Sequence, residues 1–338
     1  MKFGIGLAAL LAASWVGGVT ARAESMVFTS WGGTTQQAQK KDWADPFTKK
    51  TGIKVIQDGP TNYGKFKAMV ESGNVSWDVV DVEYDFAVRA AKDGLLTKLT
   101  LPASVMKSID PRFLTPYATG SFYYAFVLAY KKGTWGAYAP RTLADLFNTK
   151  KFPGKRAFYK WSAPGVLEAA LLADGVPPGK LYPLDLNRAF RKLDSIKSNI
   201  VWWGSGAQSQ QLLASGEAPI GLVWNGRVDA LQKSGAPVAM SWDGNLTTGD
   251  MLVVPKGAPH VAAAMKFIAY ATSAKAQAAF AADSGYAPIN TGAEALMAKH
   301  ALPALPDHHA RSHVDLNMQY WANHRTEIAN RWYAWQTK

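Results

Sequence analysis

Residues 219–227 read Pro-Ile-Gly-Leu-Val-Trp-Asn-Gly-Arg, and residues 241–255 read Ser-Trp-Asp-Gly-Asn-Leu-Thr-Thr-Gly-Asp-Met-Leu-Val-Val-Pro. The short apolar run in the first stretch predicts a buried strand that ends in Trp224 and Asn225. In the second stretch Asp250 opens another apolar run, so its carboxylate is either a satisfied structural group or a ligand contact. Because ligands of open α/β sheets bind at the carboxyl ends of the strands, these two stretches predict a ligand site.

Strand patterns and helix patterns alternate along the chain, which predicts an α/β fold built on doubly wound sheets. Asp45 and Pro46 are interpreted as the N-cap and first residue of a short helix that ends at Gly52. The predicted strands cover 25–30, 53–57, 77–83, 122–131, 156–159, 200–202, 220–223 and 251–254. The predicted helices cover 36–43, 63–72, 86–92, 143–147, 186–197, 208–215, 260–272, 274–283 and 316–335.

Length and composition limit the class of protein. A chain of 338 residues is long enough for about two domains. It contains no cysteine, which excludes disulfides, thiolate metal sites and cysteine nucleophiles. The formal net charge is +12, but the basic residues are scattered along the chain. Nucleic-acid binding requires a concentrated basic stripe, so the sequence favours a solvated basic exterior and no nucleic-acid partner.

The amino terminus has the pattern of a secretory signal peptide. Lys2 precedes an apolar region over 3–19, and Ala21-Arg22-Ala23 matches the small-x-small cleavage rule. Cleavage after Ala23 predicts an exported, periplasmic mature protein that begins at Glu24. No later segment has 18 uninterrupted apolar residues, so we expect a soluble monomer.

Aromatic and small polar residues recur at the predicted carboxyl ends of strands, and together they describe a cleft lined with rings. Rings combined with a carboxylate suit an organic cation. The candidate ligand-binding residues are Trp31, Gly32, Gly33, Asp81, Glu83, Tyr84, Lys160, Trp161, Ser162, Trp203, Ser205, Trp224, Asn225, Asp250 and Tyr286.

No catalytic or cofactor motif assembles in the sequence. Serine-hydrolase, zinc-protease and phosphate-loop patterns are all missing, so we expect neither an enzyme nor a cofactor. His309 and His313 are four residues apart, a spacing that can bind zinc on a helix. Pro303 and Pro306 instead predict an exposed loop there, with no metal.

The segments 47–55, 220–226 and 250–290 resemble the extracellular solute-binding proteins of the spermidine/putrescine-binding type, which serve ABC importers. The resemblance implies two α/β lobes, a ligand cleft between them, hinge closure on the ligand, and a membrane permease as partner. It also implies that Trp31, Trp224 and Tyr286 supply rings and that Asp250 holds a ligand amine. The implied lobe 1 covers 24–126 and 250–297, and the implied lobe 2 covers 127–249 and 298–338.

Two departures from this family concern the acidic residues. The acidic position after the first tryptophan falls on Gly32 and Gly33, and the acidic pair for the second ligand amine falls near Lys160. A ligand with one cationic nitrogen and one anionic or neutral polar end, such as an ω-amino acid or an opine-like conjugate, therefore fits better than a diamine. Glu83 could replace the missing carboxylate, so a polyamine remains an alternative ligand. An anion such as a phosphonate and an exported enzyme on the same scaffold are the remaining alternatives.

Overall fold

The computed structural model describes Met1 and residues 24–338. Apart from Met1, the predicted signal peptide (1–23) lies outside the described residues. The strands are β1 Ser25–Thr29, β2 Lys54–Asp58, β3 Val79–Glu83, β4 Ala118–Lys131, β5 Arg156–Tyr159, β6 Ile200–Trp203, β7 Ile220–Trp224, β8 Val238–Val253 and β9 Val314–Asp315.

Thirteen α-helices cover much of the described chain. They are α1 Gly33–Gln39, α2 Asp45–Thr51, α3 Tyr63–Ser72, α4 Tyr84–Lys92, α5 Ala103–Lys107, α6 Leu143–Phe147, α7 Val166–Ala173, α8 Leu186–Asp194, α9 Gly206–Ser215, α10 Asn225–Lys233, α11 Val261–Ala271, α12 Ala274–Ser284 and α13 Met318–Gln336. Short 3₁₀ turns connect several of them, including Lys299–Ala304 and Pro306–Ser312.

The strands form a mixed sheet in the order β2-β1-β3-β8-β4-β7-β5-β6, with β9 paired to β8. Strands β1, β2 and β3 are parallel to one another, as are β5, β6 and β7. The two parallel units lie on either side of the antiparallel pair β4 and β8. The predicted α/β alternation is therefore present in both halves of the chain.

The long strands β4 and β8 carry the chain between the two parallel units. They pair with each other from Ala118 opposite Val253 to Lys131 opposite Val238. The prediction placed a strand only over 122–131, and the structure extends it to Ala118. At one point of this ladder Asp250 faces Phe122 of β4 on one side and Glu83 of β3 on the other. Asp250 therefore lies between the carboxylate of Glu83 on one neighbouring strand and the ring of Phe122 on the other.

Capping residues define several helices as the sequence predicts. The side chain of Thr142 accepts a hydrogen bond from the Asp145 N–H and completes a capping box. Asp185 accepts from the N–H of Arg188 at the start of α8, which ends at Asp194, three residues before the predicted limit. Gly52 ends α2 with a φ of 76°, a left-handed conformation that glycine adopts without steric cost.

The prediction that Asp45 caps a separate helix was wrong. Ala44 before it has helical dihedral angles, and a π-helical turn over Lys40–Ala44 joins α1 to α2. The helical path is therefore continuous, and the Asp45 side chain instead pairs with Lys40 at 2.6 Å. Pro46 is tolerated inside it because the wider turn changes which backbone acceptors are used.

Buried aromatic side chains dominate the core on both sides of the sheet. Phe28 of β1 packs against Trp43 and Phe267. At the other end of the sheet, Trp332 of α13 is buried against Trp202 of β6. Within residues 24–338, none of the helices is long and apolar enough to cross a lipid bilayer.

Candidate functional site

A small inner cavity of about 10 Å³, room for about one water molecule, lies where β3, β8 and β4 meet the amino end of α10. Most of its wall is aromatic, and its polar lining comes from two carboxylates, one arginine and one threonine. The lining residues are Trp31, Thr35, Glu83, Phe122, Tyr124, Trp224, Arg227, Asp250 and Tyr286. Tyr286 stacks on Phe122 with 4.7 Å between ring centroids, which fixes one aromatic wall.

Asp250 is a buried carboxylate in this cavity, and few groups of the protein stabilise its negative charge. Its Oδ1 atom has no hydrogen-bond partner among the described residues. Burial, together with the nearby Asp81 and Glu83 carboxylates, raises the pKa of Asp250 well above its usual range. The indole N–H of Trp31 lies near enough to oppose this pKa rise, but its geometry falls short of a hydrogen bond. A cation in the cavity would supply the missing stabilisation.

Arg227 is the buried cation of the inner cavity. Its side chain donates to Thr34 Oγ1 at 3.0 Å and to the Gly32 carbonyl oxygen at 3.3 Å. Its Nε atom has no hydrogen-bond partner, and within residues 24–338 it forms no ion pair with a carboxylate. Because buried charges are normally paired, this guanidinium is suited to form an ion pair with an anionic group of a ligand.

An outer cavity of about 310 Å³ adjoins the inner one and shares Trp31, Glu83 and Trp224 with it. Its remaining lining residues are Pro60, Thr61, Asn62, Tyr63, Tyr159, Trp161, Gly204, Ser205, Gly206, Arg325 and Tyr333. Glu83 stands in the shared wall, where it accepts a hydrogen bond from Tyr63 Oη at 3.2 Å. Burial raises the pKa of Glu83 to about 7, although Arg325 acts in the opposite direction.

Comparison with known proteins places the chain within one family. The model of the bacterial extracellular solute-binding proteins matches residues 42–307. The chain belongs to this family. The γ-aminobutyric acid-binding protein of Pseudomonas aeruginosa is 37% identical and covers 94% of this chain and 92% of its own length. The spermidine/putrescine-binding periplasmic protein 1 of Haemophilus influenzae is 31% identical over 77% of this chain and 73% of its own length.

Two solved structures show the fold of this solute-binding protein. A structure described as a GABA receptor is 59% identical, covers 93% of this chain and 98% of its own, and superimposes with a TM-score of 0.85. The agropinic acid complex of AgtB from Agrobacterium tumefaciens is 35% identical, covers 94% and 100% respectively, and has a TM-score of 0.87. The predicted two-lobed fold of periplasmic binding proteins is therefore confirmed.

The structure of this solute-binding protein brings seven of the fifteen predicted site residues to the two cavities. Five of them line the inner cavity: Trp31, Glu83, Trp224, Asp250 and Tyr286. Trp161 and Ser205 line the outer cavity. Trp161 is exposed and donates its indole N–H to the Gly204 carbonyl oxygen at 3.2 Å.

Three predicted residues lie behind the cavity walls and hold them in place. Asp81 is fully buried and accepts hydrogen bonds from Gln39, Ser30 and Ser121. Asn225 donates to the Gly285 carbonyl oxygen at 2.7 Å and accepts from the Ala125 N–H at 3.0 Å. Trp203 packs edge-on against Trp224 with 4.8 Å between ring centroids. In this structure these three groups support the lining residues and do not themselves face either cavity.

The remaining five predicted residues line neither cavity. Tyr84 is the first residue of α4, just past the end of β3, and it donates to the Arg112 carbonyl oxygen and faces a separate groove. Lys160 is exposed, and its ammonium lies 5.0 Å from the Trp161 ring centroid. Ser162 is buried beneath Tyr333. Gly32 and Gly33 have φ values of 68° and 58°, and a Cβ on Gly33 would lie 2.9 Å from Nη1 of Arg227. Gly33 thus lets the Arg227 side chain approach the backbone.

The sequence analysis missed the two arginines, Arg227 and Arg325. Arg227 follows the predicted Trp-Asn-Gly turn by one residue, so its proximity to that turn was an available signal. Arg325 lies within the C-terminal helix, and nothing local in the sequence distinguishes it from the other basic residues. Tyr63, Tyr159 and Tyr333 were also missed, since aromatic residues in such patterns are usually core.

Among the described residues, no group of three or more His, Cys, Asp or Glu side chains could hold a metal ion. The histidines near the C-terminal helix have other contacts. His309 stacks on Trp242 with 4.0 Å between ring centroids, and His313 pairs with Asp315 at 3.5 Å.

Proposed function

We propose that this solute-binding protein captures a small ω-amino acid, with γ-aminobutyrate as the best-fitting candidate, for an ABC importer. The ligand ammonium lies beside Asp250 and Glu83, and the ligand carboxylate pairs with Arg227. The GABA-binding relative and the GABA receptor structure support this choice of ligand.

One observation carries the proposal. The same small cavity contains a buried carboxylate with an unpartnered oxygen and a buried guanidinium without an ion pair among residues 24–338. A diamine satisfies the first group and repels the second, whereas a simple anion satisfies the second and repels the first. A short zwitterion satisfies both, and the surrounding rings exclude the water that would weaken these contacts.

We also infer the wider setting of the function from the family. The protein acts in the periplasm after cleavage at Ala23, and its lobes close on the ligand before it docks on a membrane permease. We divide the chain into lobe 1 (24–126 and 250–297) and lobe 2 (127–249 and 298–338). The hydrogen bond from Trp332 Nε1 to the Lys160 carbonyl oxygen, 2.9 Å long, supports placing the C-terminal helix with lobe 2.

Isothermal titration at pH 8 with γ-aminobutyrate, putrescine and inorganic phosphate tests the proposed ligand. We expect γ-aminobutyrate to bind and Asp250→Asn to weaken it by about 10- to 150-fold, equivalent to the roughly 1.5–3 kcal/mol of a hydrogen bond to a charged group. Arg227→Lys retains the positive charge but cannot present two parallel N–H donors to a carboxylate. We therefore expect it to reduce the γ-aminobutyrate affinity less than Arg227→Gln does.

Asp243→Asn is the matched control, because Asp243 lies on the same strand but is exposed. It should leave the affinity unchanged. Tighter binding of putrescine or phosphate than of γ-aminobutyrate would contradict the proposal. Recovery of unmodified γ-aminobutyrate after prolonged incubation with the protein is the expected result for a binding protein; conversion of the compound would instead favour an exported enzyme.

A further inference from the structure

We propose that Arg325 is a specificity-determining residue that excludes diamines and polyamines from this site. The inference rests on the proposed function, because it takes the ligand ammonium to lie beside Asp250 and Glu83. It gives a role in ligand selection to Arg325 of α13, which lies far in sequence from the central strands β4 and β8.

Arg325 is held in place by two buried carboxylates. Its Nη1 atom donates to Asp85 Oδ2 at 2.7 Å, and its Nη2 atom lies 3.7 Å from Glu83 Oε2. Its side chain is 14% exposed, whereas that of Asp85 is fully buried. A guanidinium with these partners is a fixed positive charge in the wall of the outer cavity.

The helix that carries Arg325 is anchored on the far side of the cleft. Trp321 Nε1 donates to the buried carboxylate of Glu168, and Trp332 Nε1 donates to the Lys160 carbonyl oxygen. Both rings are buried. Because α13 is held at both of these points, the position of Arg325 in the outer cavity is set by packing and not by its own flexible side chain.

The two arginines line different cavities that share a wall. Arg227 lines only the inner cavity, Arg325 lines only the outer cavity, and Glu83 stands in the wall that both share. A molecule with one ammonium beside Asp250 and Glu83 therefore extends either inward to Arg227 or outward past Arg325. A second ammonium meets a guanidinium in both directions, and like charges repel strongly where water is scarce.

Arg325 also occupies the carboxylates that a second ammonium would need. Glu83 is the acidic residue that could replace the missing carboxylates of polyamine binders, and Arg325 pairs with it and with Asp85. An ω-amino acid has no second ammonium, and its carboxylate is held by Arg227. Arg325 therefore acts more strongly against polyamines than against γ-aminobutyrate.

Titrations of Arg325→Gln with spermidine, putrescine and γ-aminobutyrate at pH 8 test this role. We expect the ratio of spermidine affinity to γ-aminobutyrate affinity to rise at least about tenfold, which corresponds to roughly 1.4 kcal/mol of removed repulsion. Arg325→Lys retains the charge and should keep the exclusion. Arg331→Gln on the same helix removes an equal charge outside both cavities, where Arg331 bonds to Asn187, and should change neither affinity.

The double variant Glu83→Gln/Arg325→Gln separates this role from a purely structural one. The spermidine gain should persist but be smaller when it is compared with Glu83→Gln alone, because the repulsion is relieved in both backgrounds while one of the two freed carboxylates is missing. No spermidine gain in either background overturns the proposal. Failure of γ-aminobutyrate to bind the wild type, with the spermidine gain intact, would contradict only the proposed function.

Ser205→Asp provides a test that leaves Arg325 in place. Ser205 caps α9 and lines the outer cavity, and aspartate is an equally good N-cap. The added carboxylate should offset Arg325 and raise the spermidine affinity. If Arg325→Gln does not yield folded protein, an unchanged spermidine affinity in Ser205→Asp is sufficient to overturn the proposal.

Discussion

Asp81 is a fully buried carboxylate that supports the cavity without entering it. Gln39 Nε2 donates to it at 2.6 Å, Ser121 Oγ at 3.0 Å and Ser30 Oγ at 3.3 Å. Burial outweighs these bonds and raises the pKa of Asp81 from 3.8 to about 7. The folded protein therefore retains a proton at Asp81 over a pH range in which the unfolded chain has already released it.

This difference predicts how stability depends on pH. Between pH 5 and pH 7 the unfolded state ionises Asp81 and the folded state does not, so the free energy of unfolding falls as the pH rises. Asp81→Asn removes this contribution. From pH 5 to pH 8 we expect the variant to lose less stability than the wild type, by about 1–3 kcal/mol, because one pKa unit corresponds to about 1.4 kcal/mol.

Urea denaturation of both unliganded proteins at pH 5 and pH 8 measures this difference. Glu83 and Asp250 also have raised pKa values, so the variant should still lose some stability as the pH rises. Parallel pH profiles for wild type and variant would show that Asp81 is ionised in the folded protein.

Residues of the site could be predicted from the sequence where a side chain suited to ligand binding adjoins a recognisable strand. Trp224 and Asp250 were found because each adjoins a strand that the sequence marks by its apolar run. Lys160 adjoins a strand as well, yet its side chain lies on the exposed face of Trp161. Position at a strand end does not specify the direction of a long side chain. Arg227 and Arg325 were missed because a helical arginine reaches the cavity only through tertiary packing.

The strand-to-helix junction at β7 and α10 is the element that builds the inner cavity. It places Trp224, Asn225 and Arg227 within four residues, so that the ring, the structural amide and the cation come from one turn. Gly226 makes the junction possible. A Cβ at this position would lie 2.5 Å from both the Ser284 carbonyl oxygen and the Tyr286 ring. The close approach of α10 to the segment before Tyr286 therefore requires glycine.

Gly226→Ala should consequently displace Tyr286 and weaken ligand binding. We expect overpacking to lower the free energy of unfolding by about 1–3 kcal/mol. The γ-aminobutyrate affinity should fall about tenfold or more, which corresponds to roughly 1.4 kcal/mol or more of lost contacts. Titration and urea denaturation of the same preparation measure both quantities.

Gly179→Ala is a suitable control, because no atom lies within 4 Å of a Cβ added there. It should change neither quantity. A destabilised Gly226→Ala protein that binds γ-aminobutyrate normally would show that the position of Tyr286 is not critical for the ligand.

At the scale of elements, the sequence predicted which segments are strands and helices better than how they connect. Apolar runs and caps such as Thr142 act locally, so they are visible in sequence. The continuous path through Lys40–Ala44 depends on a π-helical turn, which local caps do not reveal. The lengths of β4 and β8 were also underestimated, because their outer parts gain stability from pairing with each other across the molecule.

At the scale of the whole molecule, the two halves of the cavity come from distant parts of the chain. Trp31 and Glu83 come from the first parallel unit, while Trp224 ends β7 of the second unit and Arg227 follows that strand. Besides the strands β4 and β8, the pairing of Arg325 with Asp85 links α13 to the first unit. Two units that share few covalent connections and enclose their ligand between them are expected to move as rigid bodies.

Small-angle X-ray scattering tests this motion directly. We expect saturating γ-aminobutyrate to reduce the radius of gyration of the wild type, which should be about 20 Å for a compact chain of this size. In the proposed binding mode the ligand bridges Asp250 of β8 and Arg227 of α10. It should therefore favour the closed arrangement, by an amount set by the difference in its affinity for the closed and open arrangements. Asp250→Asn at the same ligand concentration should retain the unliganded profile, because it loses one end of the bridge. Identical wild-type profiles with and without bound ligand would indicate that the cleft is already closed before binding, and that the ligand selects a site which needs no movement of the lobes.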